Sequence, residues 1–98
     1  MNRFGLLATL EAKLGKAAEM EAFLKSATPL VAAKTGTTAW FAFRIGQDTF
    51  GIFDTFRDEE GRTAHVNGEV AKALFAHAEE LLATLPLIEQ VSIVAEKI

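Results

Sequence analysis

The chain contains no cysteine, which removes disulfides, thiol nucleophiles and Cys-ligated metals in one step and fits a reducing compartment. Histidine is nearly as scarce. The two present, His65 and His77, lie twelve residues apart, which is no recognised metal-ligand spacing without a thiol. No GxGxxG or GxxxxGK[ST] segment occurs, so the fingerprints of nucleotide binding are missing, and there is no Ser or Cys nucleophile motif. Basic charge is short as well: 10 Lys and Arg stand against 13 Asp and Glu, for a net charge of −3 with no basic cluster. Nucleic acid is therefore not an expected partner, because neutralising its phosphates needs a Lys/Arg patch. The apolar run near the N-terminus is too short for a signal segment, and no stretch approaches the roughly 20 residues of a membrane span. Together these absences predict a soluble, cytoplasmic protein with no membrane partner.

What is abundant is apolar character. Half of the 98 residues are hydrophobic and eight are Phe, more than one small domain hides with ease. The length makes residues 1–98 a single domain. Two runs rich in aromatic and β-branched residues, Thr38 to Ile45 and Thr49 to Phe56, flank the three-residue loop Gly46-Gln47-Asp48, the pattern of a β-hairpin. With Ile45 opposite Thr49, alternation places Ala39, Phe41, Phe43 and Ile45 on one face with Thr55, Phe53, Gly51 and Thr49. The other face holds Thr38, Trp40, Ala42 and Arg44 opposite Phe56, Asp54, Ile52 and Phe50. Neither face is polar, whereas a lone antiparallel sheet normally keeps one face wet.

The rest of the chain follows in order. Phe4 to Ala12 predicts a first strand with Phe4, Leu6, Ala8 and Leu10 on one face. From Lys16, Ala17, Met20, Phe23, Leu24 and Ala27 recur at helical spacing. Pro29 is expected to kink this helix or to start a second short one over Leu30 to Lys34. Thr35-Gly36-Thr37 stops it. After the hairpin, Asp58 serves as an N-cap for a helical segment through Ala64, His65 and Val66. Asn67-Gly68 interrupts, and Val70, Leu74, His77, Ala78, Leu81, Leu82 and Leu85 predict one longer helix ending at Leu85-Pro86. Ile88 to Ile98 predicts the last strand. The order β, α, β, β, α, β defines an α+β, ferredoxin-like βαββαβ unit: a four-stranded antiparallel sheet with both helices on one face. The bare face, carrying Phe41, Phe43, Ile45 and Phe53, predicts a homodimer with sheets packed face to face.

Few residues are left for chemistry. Asp54 lies in a strand otherwise made of Phe, Ile, Gly and Thr, directly across from Trp40. A carboxylate in such surroundings suits acid or base work near neutrality; equally, it would accept the Trp40 indole N–H or cap a helix. His65 is a second candidate base, or a helix-end residue facing water. His77 falls on the apolar stripe of the long helix and reads as a core residue. Arg44, near the hairpin tip, reads as an anion-recognising group or a solvated rim residue. Trp40 and Phe56 read as core or as pocket wall on which a flat ligand would stack.

Several stretches resemble one family. The Gly-Thr-Thr-Ala-Trp lead into the second strand (36–40), the Ile-Phe-Asp-Thr-Phe-Arg-Asp-Glu-Glu run (52–60), the Ala64-His65 pair and the terminal Ile-Glu-Gln-Val-Ser-Ile-Val-Ala-Glu-Lys (88–97) are similar to the antibiotic biosynthesis monooxygenase (ABM) domain family of the dimeric α+β barrel superfamily. The resemblance implies a homodimeric barrel and a monooxygenase that oxidises a small aromatic or quinol-like compound with O2, with no metal and no other cofactor. It also implies a pocket in which Asp54 and His65 act as catalytic groups and Trp40, Phe56, Ile52 and Phe23 bind substrate. Where the family usually shows Tyr, Glu and Trp on the pocket face, this chain has Trp40, Asp54 and Phe56. The segment Val66-Asn67-Gly68-Glu69-Val70 replaces the family's usual one after the histidine. Haem degradation, a property of related proteins, is disfavoured because the matching positions here are Ala8 and Phe56. The alternative is a small-molecule-binding protein or a different enzyme on the same scaffold.

Overall fold

The computed structural model describes residues 3–97. Its elements are strand β1 (Phe4–Glu11), helix α1 (Ala17–Ala32), strands β2 (Thr37–Arg44) and β3 (Thr49–Phe56), helices α2 (Glu59–Val66), α3 (Glu69–Ala76) and α4 (Ala78–Leu81), and strand β4 (Leu87–Ser92). The strands form one antiparallel sheet in the order β2-β3-β1-β4. This is the ferredoxin-like α+β arrangement expected of the βαββαβ order.

The hairpin closes as its loop dictates, with the Ile45 N–H donating to the Thr49 carbonyl at 2.8 Å. The pairing Trp40↔Asp54, Phe41↔Phe53 and Phe43↔Gly51 follows. Gly51 is required there, because a Cβ would lie 2.5 Å from the Phe43 ring. One register step differs from expectation: Phe56 faces Thr37, not Thr38, because the ladder shifts between Thr37 and Ala39. A bulge inserts one unpaired residue, and the Thr38 hydroxyl instead meets that of Thr55 at 2.7 Å.

The helices cover one face. Leu6, Ala8 and Leu10 of β1 and Phe50, Ile52 and Phe56 of β3 point into the core, where Met20 and Leu24 of α1, Leu74 of α3 and Leu81 of α4 meet them. The opposite face stays open in the single chain: Phe41 is 60% exposed, Ile45 64% and Phe43 40%.

Three sequence expectations are corrected. Pro29 starts no second helix; α1 runs through it to Ala32. Pro29 and Lys25, the residue four back whose carbonyl loses a donor, are both exposed, so water satisfies that carbonyl and the lost bond is cheap. The long helix expected from Val70 to Leu85 breaks at His77 into α3 and the single turn α4. Leu82 turns extended and bridges to Ala12, while Lys13 N–H donates to the Leu81 carbonyl and Ala83 N–H to the Glu11 carbonyl, both at 2.8 Å. Pairing with the end of β1 satisfies backbone groups that a further helical turn would have used. His77 is consequently half exposed at the break, with Glu80 3.8 Å away, and not a core residue. The last strand stops at Ser92 because β1 ends at Phe4 and offers only one more contact, Ile93 N–H to the Arg3 carbonyl at 3.0 Å; Ile98, the end of the expected strand, lies outside the described residues. No helix among the described residues is long and apolar enough to cross a membrane.

The helix break makes a direct prediction. Leu81 is 5% exposed and Leu85 80%, so Leu81→Ala should cost about 2–5 kcal/mol of stability and Leu85→Ala under about 0.5 kcal/mol. Urea unfolding of the two variants measures the difference; equal losses would restore a continuous helix to Leu85.

Candidate functional site

Asp54 sits on the helix-facing side of β3, between Ile52 and Phe56, and is 2% exposed. A carboxylate this deep must find donors or cost several kcal/mol. The partner anticipated from the hairpin register is not the one it uses. The Trp40 indole, though opposite Asp54, leaves its Nε1–H buried with no hydrogen-bond partner. Asp54 is bonded instead to His65: Nε2 lies 2.9 Å from Asp54 Oδ2, and the imidazole is only 12% exposed.

The local sequence explains how α2 delivers that histidine. Asp58 Oδ1 accepts the Gly61 N–H at 2.8 Å and caps the helix, as its position before Glu59 and Glu60 predicts. Gly61 then lets α2 press against the loop after α1, since a Cβ there would stand 2.9 Å from the Gly36 carbonyl oxygen. Arg57 N–H donates to that same carbonyl at 2.9 Å. One helical turn beyond Gly61, His65 projects over β3, its ring 5.3 Å from that of Phe56. Nε2 faces the carboxylate; in the tautomer that carries its proton on Nε2 and donates it to Asp54, the ring's lone pair is on Nδ1. The pair is a histidine oriented by a buried carboxylate.

A groove of about 190 Å³ opens beside His65, bounded by Lys34, Thr35, Gly36 and Thr37 on one side and by Gly61 and Ala64 on the other. Two more clefts continue along the edge strand β2, linked through shared residues. The next, about 330 Å³, shares Thr37 and runs past Val31 to Trp40. The third, about 230 Å³, shares Trp40 and Thr28 and ends at Arg44. The structure thus gathers Asp54, His65 and the Phe56 ring, with Trp40 on the neighbouring strand. Phe56 is fully buried and Ile52 nearly so, both within the core. Phe23 lies elsewhere, edge-on to His77 at 5.6 Å in a separate groove between α1 and α4. Arg44 is tied to the hairpin tip, donating to the Gly46 and Gln47 carbonyls and stacking over Phe50.

Lys34, Thr37 and Gly61 carry the groove without having been singled out by the sequence. The signal for Thr37 is the bulge, which swaps it for Thr38 at the end of the ladder; nothing in the hairpin pattern marks it. Arg62 is a further buried cation, its guanidinium 5.2 Å above the Phe4 ring and its Nε unpartnered. Among the described residues no three His, Asp or Glu side chains gather into a metal-ligand set.

A four-stranded antiparallel sheet roofed on one side by helices, in ferredoxin-like order, is a fold that the chain shares with solved structures. No family model and no curated protein matches the sequence. Among solved structures, a protein of unknown function from Nitrosomonas europaea is 51% identical over all of this chain and 95% of its own, with a TM-score of 0.97. This chain belongs to one family with that protein. A candidate antibiotic biosynthesis monooxygenase from Caulobacter crescentus is similar in fold, 23% identical with a TM-score of 0.82 over 96% of this chain and 92% of its own. Another, from Chloroflexus aurantiacus, is 16% identical with a TM-score of 0.75 over 97% and 96%.

The dyad should register in stability. His65→Ala strands a buried carboxylate and should cost about 3–5 kcal/mol, whereas Asp54→Asn keeps an acceptor for the imidazole N–H and should cost about 1–3 kcal/mol. Urea unfolding at one fixed protein concentration gives both values, and a harmless His65→Ala would mean the pair is not formed.

Proposed function

We propose that the protein is a cofactor-independent monooxygenase that oxidises a small aromatic, quinol-like compound with O2, using His65 as base and Asp54 to orient it. The observation that carries this reading is the 2.9 Å contact between the buried Asp54 carboxylate and Nε2 of His65, a residue that lines a groove. The fold shared with candidate ABM proteins supports it. In this reading His65 Nδ1 takes the phenolic proton, and Asp54 stabilises the imidazolium that forms. The resulting phenolate is electron-rich enough to reduce O2. For a hydroquinone the balance is hydroquinone plus O2 giving hydroxyquinone plus water: one oxygen atom enters the ring, the other leaves as water, and the ring supplies all four electrons. No external reductant is required. Trp40 and the neighbouring clefts would hold the rest of the substrate.

The reading includes a homodimer formed through the open sheet face, since exposed Phe41, Phe43 and Ile45 share that face with the partly buried Phe53. It also places the protein in the cytoplasm, consistent with the absence of cysteine.

Oxygen uptake with a panel of hydroquinones and naphthols tests the chemistry. The expected result is consumption above the buffer rate, reduced about 100-fold or more by Asp54→Asn and by His65→Ala. Substrate binding without oxygen uptake would assign the scaffold to ligand binding instead, and undiminished rates in both variants would remove the dyad from the mechanism. For the dimer, sedimentation velocity at micromolar concentration should give twice the monomer mass, and Phe41→Asp should shift it to the monomer; a wild-type monomer would end the proposal.

A further inference from the structure

Lys34 is the uncommitted cation along β2. Of the charged residues that line the clefts there, Lys25 is paired with Glu21 at 3.5 Å and Arg44 is bonded to turn carbonyls, whereas the Lys34 ammonium meets no carboxylate and no carbonyl among the described residues. It bounds the same small groove as His65. Its loop holds it there: Lys34 N–H donates to the Val31 carbonyl at 2.9 Å, and the Lys34 carbonyl accepts from Thr37 N–H at 3.4 Å. Thr35 and Thr37 line the same wall. The groove therefore has polar residues and a cationic one on one side and the His65 imidazole on the other. Its volume of about 190 Å³ is only a little larger than the roughly 150 Å³ cavity that holds a benzene molecule.

We infer that the His65 groove takes a single aromatic ring bearing an acidic substituent, the ring's hydroxyl directed to His65 and its anion to Lys34. This rests on the groove being the substrate site of the proposed oxygenase, and it narrows that substrate from quinol-like compounds in general to hydroxylated aromatic acids. A fused two-ring substrate would have to spill into the Trp40 cleft. An ammonium at a solvent-exposed rim contributes modestly to affinity, because water and salt screen it, so the signature is a selectivity and not a large absolute gain.

Binding can be read without turnover, which separates this inference from the oxygenase reading. Titration with benzoate and with the isosteric neutral benzamide, followed by calorimetry and by the His65 imidazole NMR signals, should show benzoate bound at least about threefold more tightly. The His65 signals should shift with both ligands. The preference should disappear in Lys34→Gln, reverse in Lys34→Glu, and shrink as salt is raised. Lys34 is exposed and makes no side-chain bond among the described residues, so both variants should fold as wild type. Equal affinities in the wild type, a preference that survives Lys34→Gln, or the absence of any His65 shift would each overturn the inference. Failure of 2,5-dihydroxybenzoate to drive oxygen uptake, with the binding preference intact, would count against the oxygenase reading alone.

Discussion

A carboxylate on the buried side of a central strand constrains everything around it. Asp54 interrupts a strand otherwise built from Phe, Ile, Gly and Thr, and its low-dielectric surroundings leave no water to compensate the charge. The protein answers with one imidazole. For that to work, α2 must begin at a fixed point, approach the sheet closely, and present its second turn over β3. The Asp58 cap fixes the beginning, the Gly36–Gly61 contact permits the approach, and helical periodicity supplies the rest. Remove any of these and the acid is orphaned.

The same arrangement gives the site its chemical asymmetry. The Nε2 side of His65 is occupied by a fixed anion, so the ring has one free nitrogen, directed away from the carboxylate. Alongside, the bulge in β2 carries the ladder on to Thr37, at the end of the Lys34 to Thr37 loop that forms one wall of the groove. Bulges at sheet edges often re-aim side chains in this way. The apolar clefts and the polar groove then lie in series along an edge strand that α1 covers only partly, which leaves space where a fully packed layer would have none.

Much of this was readable in the residues. Alternation and the Gly46-Gln47-Asp48 loop determine the hairpin register from Ala39 to Arg44, and Asp54 opposite Trp40 follows from it. Asp58 as a cap, Gly51 as room for Phe43, and an open aromatic face are also local consequences of spacing and side-chain size. Asp54 and His65 each stand out, one as a charge among hydrophobes and the other as a titratable group on a short helix. That they bond to each other does not follow from either.

What the sequence by itself determined is therefore the order and type of the strands and the first helix, the faces of the sheet, and Asp54 and His65 as residues that stand out from their surroundings, because periodicity and local sterics act within a few residues. Only the tertiary structure decided the partners. Asp54 met His65 and not Trp40, Leu82 left its helix for the end of β1, and Lys34 came to bound the same groove as the histidine. Those outcomes depend on backbone hydrogen bonds and burial between segments far apart in the chain, and no spacing rule along a single strand or helix carries that information.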